Sequence, residues 1–155
     1  MKILFCFFLF ISMNAFGYQI KTFKTDGCTG FPEGSISSPR IWHHCCIKHD
    51  MAYYLAGTIK DRSQADLRLK QCVSKAAGRF YGELMYRGVV IGHYSPIKTS
   101  TRWGWAWNKR PYFETLNKEQ FDQAIEGLYK SNADTKLITD FIKELKIPYP
   151  EVPIH

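Results

Sequence analysis

The sequence lacks any long hydrophobic run, which argues against a chain built from membrane-spanning helices. Its longest continuous apolar segment is Ile3 to Ile11, whereas a transmembrane helix needs about 20 apolar residues. It also lacks internal repeats, low-complexity tracts and long linkers. These absences predict a single folded domain with no transmembrane segment in the mature protein.

The short apolar run has the layout of a secretory signal peptide. Lys2 precedes it, and Ala15-Phe16-Gly17 follows it with small residues at the usual cleavage spacing. We therefore expect residues 1–17 to be a signal peptide and residues 18–155 to form the mature domain. The protein is then exported, either to the periplasm or out of the cell.

Cysteine is also scarce, and its even count after the expected cleavage indicates two disulfides. Cys6 lies in the signal peptide, which leaves four cysteines in an exported chain, namely Cys28, Cys45, Cys46 and Cys72. The adjacent Cys45 and Cys46 point about 100° apart on a helix, so they do not pair with each other. One of them should meet Cys72 and the other Cys28.

Acidic residues are outnumbered, with 14 Asp and Glu against 21 Lys and Arg. A basic, aromatic-rich exported protein suits an anionic membrane surface or phospholipid aggregate, although mild basicity also serves solubility alone. No nucleic-acid-binding motif accompanies the charge, so we expect no nucleic-acid partner. No feature of the sequence indicates an oligomeric state.

The pattern of caps and breakers predicts a mainly α-helical fold. Ser38 as N-cap and Pro39 at the first helical position open a helix that Gly57 ends. Asp61 then caps a second helix that runs to about Ala77, and the short connection makes the two helices antiparallel. After the second helix we expect further helix over 80–86 and an aromatic-rich loop or short strand over 88–111. A C-terminal helical extension over about 117–147 follows, with helices at 118–129 and 133–145 before a proline-rich tail.

Projection of the first two helices places a histidine opposite a carboxylate. His49 falls at the centre of the buried stripe of the first helix, and Asp50 falls at its flank. On the second helix Asp66 lies at the edge of the apolar stripe, while Arg68, Lys70, Gln71 and Lys75 fall on the opposite side. A buried His49–Asp66 hydrogen bond would fix the imidazole tautomer, as a general base requires. The same pair could instead only satisfy a buried seam.

The loop over 26–34 indicates a calcium site rather than a zinc site. A disulfide from Cys28 would hold its backbone carbonyls beside Asp50, and calcium takes oxygen ligands in flexible geometry. Zinc is disfavoured at the run His43-His44-Cys45-Cys46, because consecutive helical residues cannot converge on one tetrahedral ion.

These residues resemble a known family. Cys45-Cys46-x-x-His49-Asp50-x-x-Tyr53 is similar to the active-site helix of secreted phospholipases A2, and Asp66 with Cys72 six residues later is similar to their second helix. Two positions that the family joins by a further disulfide are both alanine here, Ala52 and Ala65.

A bacterial phospholipase A2-like family is the more specific resemblance. It is carried by Asp26-Gly27-Cys28-Thr29-x-Phe31-Pro32 and Arg102-Trp103-Gly104-Trp105. The strong match covers residues 26–73, and a weaker one extends to about residue 116. The resemblance implies two antiparallel, disulfide-linked helices that bear the active site, after a Gly-rich loop of the calcium-binding type.

The resemblance also implies a role for each matching residue. His49 would be the general base, Asp66 would orient it, and the Tyr53 hydroxyl would support Asp66. Asp50 would bind Ca²⁺ together with loop carbonyls, which fall at Gly27, Thr29 and Phe31, or at Gly30 because the loop departs from the family pattern. The implied activity is calcium-dependent hydrolysis of the sn-2 ester of glycerophospholipids at a membrane or vesicle surface. The alternative is a non-catalytic lipid- or protein-binding module.

The later aromatic residues have two interpretations. The set with its neighbouring cations is Trp103, Trp105, Trp107, Tyr112, Phe113, Lys109 and Arg110. It could bind a membrane interface, but clustered aromatics more often pack, which favours a lid over the helical hairpin. We interpret His93 and His155 as surface residues.

Overall fold

The computed structural model describes residues 18–94, 102–108 and 114–145. In these ranges it contains five α-helices, no strand, and two isolated β-bridges. The helices are α1 His43–Leu55, α2 Ile59–Ala77, α3 Arg79–Tyr94, α4 Lys118–Tyr129 and α5 Thr135–Glu144. The expectation of a mainly helical fold is confirmed. The expected signal peptide, His155 and the proline-rich tail lie outside the described residues.

Helices α1 and α2 form a disulfide-linked hairpin. Cys45 is bonded to Cys72, and Cys28 is bonded to Cys46, so both expected disulfides are present. Further along α1, His49 meets Asp66, which precedes Cys72 on α2. Because the pairing order is reversed, the two helices run antiparallel, and we call their interface the α1–α2 seam.

The start of α1 differs from the sequence-based prediction. Ser38 does not cap the helix, because Ser35 and Ser38 exchange two backbone hydrogen bonds of 3.1 Å in a tight turn. Gly34 permits this turn, since a Cβ there would lie 2.1 Å from the Ser38 carbonyl oxygen. The helix therefore begins at His43, after Trp42.

The start of α2 is also earlier than predicted, because Thr58 rather than Asp61 is the N-cap. The Thr58 hydroxyl accepts a hydrogen bond from the Asp61 N–H, and the Asp61 carboxylate accepts one from the Thr58 N–H. This reciprocal pair is a capping box, in which Asp61 occupies the third helical position.

Helix α3 continues through Gly88, where a loop or short strand was expected to begin. The prediction of loop or strand from Gly88 is wrong for residues 88–94, which are helical. Close packing on α2 holds α3 in place: a Cβ at Gly82 would lie 2.0 Å from the Ser74 hydroxyl oxygen. At Gly82 this packing outweighs the low helix propensity of glycine, whereas Gly88 and Gly92 are exposed and no described neighbour packs against them.

The C-terminal helices pack on α1. Asn117 caps α4, which spans the predicted residues 118–129, and Asp134 caps α5. Their apolar faces join the core around α1, and its buried members include Met51, Tyr54, Phe121, Leu128, Ile138 and Phe141. The extension is therefore part of the same folded unit as the hairpin.

The described aromatics of the 102–108 segment form a lid over the end of α1, as predicted. Trp103 and Trp107 are buried. The Trp103 indole N–H donates to the Gly57 carbonyl at 3.0 Å, and that of Trp107 to the Tyr54 and Leu55 carbonyls at 3.2 Å. These bonds satisfy carbonyls that a helix end leaves free. Tyr112, Phe113, Lys109 and Arg110 lie outside the described residues.

No helix in the described part of the chain is both long enough and apolar enough to cross a membrane. The longest helix, α2, is amphipathic, with a charged outer face.

Removing the Cys45–Cys72 disulfide is expected to lower the free energy of unfolding substantially. The bond closes a loop of 27 residues, for which the chain-entropy model gives about 3–4 kcal/mol. Urea unfolding of the Cys45→Ala/Cys72→Ala double variant, compared with the wild type, measures this loss. An unchanged unfolding midpoint would contradict the prediction.

Candidate functional site

The centre of the α1–α2 seam is a buried histidine–aspartate pair. The His49 Nε2 lies 2.9 Å from the Asp66 Oδ1, and the side chains are 9% and 6% exposed. The sequence places His49 one turn after Cys45, so the disulfide and the polar pair lie on the same face of α1. The three sequence-predicted residues His49, Asp66 and Tyr53 are brought together here.

Tyr53 completes the pair from the next turn of α1. Its hydroxyl donates to the Asp66 Oδ1 at 2.8 Å, and its ring centroid lies 4.3 Å from that of the His49 imidazole. Burial, with the negative charge of Asp66, raises the pKa of Tyr53 far above its ordinary value. The hydroxyl therefore stays protonated and acts as a permanent donor to the carboxylate.

This network leaves one nitrogen of His49 chemically available. Because Asp66 accepts at Nε2, a neutral His49 carries its proton there and has a lone pair on Nδ1. No described residue hydrogen-bonds Nδ1, and the side chain lines an open groove. The arrangement can take a proton from a molecule bound in that groove.

Asp50, the next residue on α1, faces the N-terminal loop instead of the seam. Its carboxylate is buried, and its Oδ2 accepts a 2.5 Å hydrogen bond from the Thr25 hydroxyl. Burial raises the pKa of Asp50 to about 7, with a smaller contribution from the charge of Asp26, while the Thr25 hydrogen bond opposes the shift. No described residue hydrogen-bonds the second oxygen, Oδ1.

The loop reaches Asp50 through Thr25. The Thr25 hydroxyl oxygen also accepts from the Gly27 N–H at 3.0 Å, and Gly27 has a φ of 79°, which favours glycine. The Cys28–Cys46 disulfide then fixes the loop against α1.

The four loop residues predicted to bind metal are connected to Asp50 unequally. Gly27 is linked to Asp50 indirectly, since the Thr25 hydroxyl bonds to both residues. In the described structure Thr29, Gly30 and Phe31 form no hydrogen bond to Asp50. The Thr29 hydroxyl instead donates to the Asp26 carboxylate at 2.6 Å.

The donor set around Asp50 fits a hard cation better than a soft one. It offers a carboxylate with an unpartnered oxygen beside a hydroxyl, and oxygen atoms of these kinds are the ligands that calcium takes. A thiolate site is absent from the described residues. The one cluster of three candidate side chains found there, His44, Cys45 and Cys72, has both sulfurs in a disulfide.

The groove beside His49 was not predicted from the sequence. It has a volume of about 650 Å³ and lies between α1, α2 and α5. Its apolar floor includes Ala52, Ala65 and Leu69, and Arg68 lies at its side. Thr25 was also missed, although its position beside Asp26-Gly27 in a predicted loop was a signal for it.

No protein-family model, curated protein or solved structure matches this chain. What the seam does is therefore inferred from the chemistry of its residues.

Proposed function

We propose that this exported protein hydrolyses the sn-2 acyl ester of glycerophospholipids in a calcium-dependent reaction. The observation that carries the proposal is His49, with one ring nitrogen fixed by Asp66 and the other without a partner beside an open groove. A binding protein has no need for an oriented, proton-accepting imidazole in this position.

In the proposed reaction His49 acts as general base. Its Nδ1 takes a proton from water, and the water oxygen bonds to the ester carbonyl carbon. Collapse of the tetrahedral intermediate breaks the ester C–O bond, and the imidazolium returns the proton to the leaving alkoxide. Asp66 holds the tautomer and stabilises the imidazolium charge, and Tyr53 keeps Asp66 in place. The products are a lysophospholipid and a fatty acid.

Asp50 would hold the calcium ion. The partners proposed for it are the carbonyls of Gly27, Thr29 and Phe31, or that of Gly30. A cation there would polarise the ester carbonyl and stabilise the oxyanion. The buried carboxylate supports this assignment, because burial penalises its negative charge and a cation bound to its unpartnered oxygen would compensate that charge.

The groove and the disulfides support the substrate class and the location. An apolar floor next to His49 suits an acyl chain. Two disulfides in a small chain, together with the expected signal peptide, support export to an oxidising compartment.

A non-catalytic lipid- or protein-binding module is the second candidate. The observation in its favour is the Thr25–Asp50 hydrogen bond, which already gives the buried carboxylate a partner, and a carboxylate with a pKa of about 7 holds its proton about half of the time at neutral pH. The two candidate functions differ in whether calcium displaces the proton of Asp50 and then supports ester hydrolysis.

Fatty-acid release from mixed phosphatidylglycerol and phosphatidylethanolamine vesicles tests the proposal. We expect wild-type protein to release the sn-2 fatty acid with calcium and to be inactive with chelator. A label on the sn-2 chain identifies the bond cleaved, and circular dichroism shows that the protein is folded in both conditions. Lipid binding without release by folded, disulfide-bonded protein would favour the binding module.

A further inference from the structure

Helix α5 covers one side of the groove beside His49. Phe141 lines the groove and is almost fully buried. One turn later Glu144 accepts a 2.5 Å hydrogen bond from Lys48 of α1, which ties the end of α5 to the hairpin. The groove volume of about 650 Å³ lies within the range of small-molecule sites, roughly 300–1,000 Å³.

Arg68 is the unusual side chain in this groove. It is partly buried, yet its guanidinium forms no hydrogen bond and no ion pair with any described residue. The partly buried cations Lys48 and Lys70 are both ion-paired, with Glu144 and Glu83. A partly buried guanidinium with no hydrogen-bond or ion-pair partner among the described residues has its five N–H donors available to a bound anion.

The surrounding charges also favour an anion. Burial lowers the pKa of Arg68, and the charges of Asp61 and Glu144 only partly oppose that shift. Among the described residues that line the groove, Glu144 is the one carboxylate, and it is already paired with Lys48, while Lys75 adds a cation two turns along α2. The groove is therefore positive at its side and apolar at its floor.

We propose that the groove between α1, α2 and α5 holds the acyl chain of a phospholipid whose phosphate binds to Arg68. The apolar floor matches the chain, and a guanidinium binds a phosphate with two parallel hydrogen bonds. The inference rests on the proposed function, because it names the substrate class of that same site. Lipids with a net negative head group are then preferred over zwitterionic ones, since Arg68 and Lys75 repel a second cation.

Calorimetric titration with two single-chain amphiphiles tests this inference without hydrolysis. The probes are dodecyl phosphate and dodecyl maltoside, both kept below their micelle-forming concentrations and in chelator. They share a chain and differ in charge. We expect the full mature protein to bind dodecyl phosphate at least about tenfold more tightly, because hydrogen bonds between a guanidinium and a phosphate are charge-assisted and those to a sugar hydroxyl are not.

Three variants assign the effect to Arg68. Arg68→Gln is expected to lose that tenfold preference and to bind dodecyl maltoside as the wild type does. Glu144→Gln should bind dodecyl phosphate more tightly, since it removes the negative charge near Arg68. The matched control is Arg87→Gln, on the exposed side of α3 and paired with Glu83, which should bind both probes unchanged.

Equal binding of the two probes by the wild type would overturn the inference, as would unchanged phosphate binding in Arg68→Gln. These failures are separable from failure of the proposed function. Fatty-acid release with no effect of Arg68→Gln on binding would contradict this inference alone. Arg68-dependent binding with no release from any vesicle would contradict the hydrolase and leave the groove as a lipid-binding site.

Discussion

Replacement of His49 by glutamine is expected to reduce fatty-acid release by about a thousandfold or more. The glutamine amide can still donate to Asp66 from a similar position, so the buried carboxylate keeps a partner. An amide cannot accept a proton at neutral pH, and general-base catalysis typically supplies about 10²–10⁴-fold. Initial rates of release from calcium-containing vesicles measure the loss.

The control for this variant is another histidine outside the seam. His93→Gln changes an exposed side chain on α3 that contacts Arg62, and it should hydrolyse lipid at the wild-type rate. Melting temperatures of both variants show whether the fold is kept. If folded His49→Gln retained more than a tenth of the activity, the base would lie elsewhere, and the His49–Asp66 pair would serve only to satisfy a buried seam.

The pairing of His49 with Asp66 follows from local helix geometry. A period of 3.6 residues places His49 on the buried face of α1 and Asp66 at the edge of the α2 face. Two cysteines at corresponding positions then set how the helices align. Each step depends on residues within a few helical turns of one another. The His49–Asp66 pair could therefore be predicted from the sequence.

Predicting the groove from the sequence would have required information about residues far apart in the chain. Projection assigned Arg68 to the side of α2 away from the apolar stripe, yet the structure places it beside the groove and partly buried. Arg68 borders a groove whose other side includes α5, which lies about seventy residues later and is held on α1 by tertiary packing. No pattern within α2 specifies which helix covers its flank.

The sequence-based predictions for loop and turn residues were incomplete or wrong for a related reason. Thr25 binds Asp50 through the conformation of an irregular segment, which is held by the Cys28–Cys46 disulfide. Ser38 has the composition of a helix cap, but a competing turn with Ser35 takes its backbone bonds. In both places several local conformations are compatible with the sequence, and a disulfide selects one of them at Thr25 whereas a local turn does so at Ser38.

The buried charges of the hairpin suggest a balance between stability and chemistry. The disulfides constrain the unfolded chain, and this offsets the cost of burying the two carboxylates of Asp66 and Asp50. Asp66 is compensated by two hydrogen-bond donors, whereas Asp50 has one. The less compensated carboxylate is therefore the one whose protonation state the fold controls.

Replacement of Asp50 by asparagine is expected to stabilise the calcium-free protein above pH 7 while abolishing its response to calcium. The folded pKa of about 7 lies above the ordinary value of 3.8. Between these values the folded state holds a proton that the unfolded state has lost, so the free energy of unfolding falls as pH rises from about 4 to 7. The full penalty, present above pH 7, is at most about 4 kcal/mol.

Asparagine removes the titrating group and still offers an oxygen to the Thr25 hydroxyl. In chelator we therefore expect Asp50→Asn to unfold at a higher urea concentration than wild type at pH 8, and at a similar one at pH 4. Calcium should raise the wild-type midpoint most above pH 7, where it no longer competes with the proton. It should leave the variant's midpoint, and its lack of hydrolysis, unchanged.

Asp122→Asn is the matched control, because Asp122 is exposed on α4 and paired with Lys118. It should keep the wild-type dependence of stability on both pH and calcium. Urea unfolding of the three proteins at pH 4, 6 and 8, with calcium or chelator, separates the two effects. A calcium-induced shift that survived in Asp50→Asn would place the ion elsewhere. A lower midpoint for that variant at pH 8 in chelator would mean that the buried carboxylate is stabilising when ionised, contrary to the sign derived from its raised pKa.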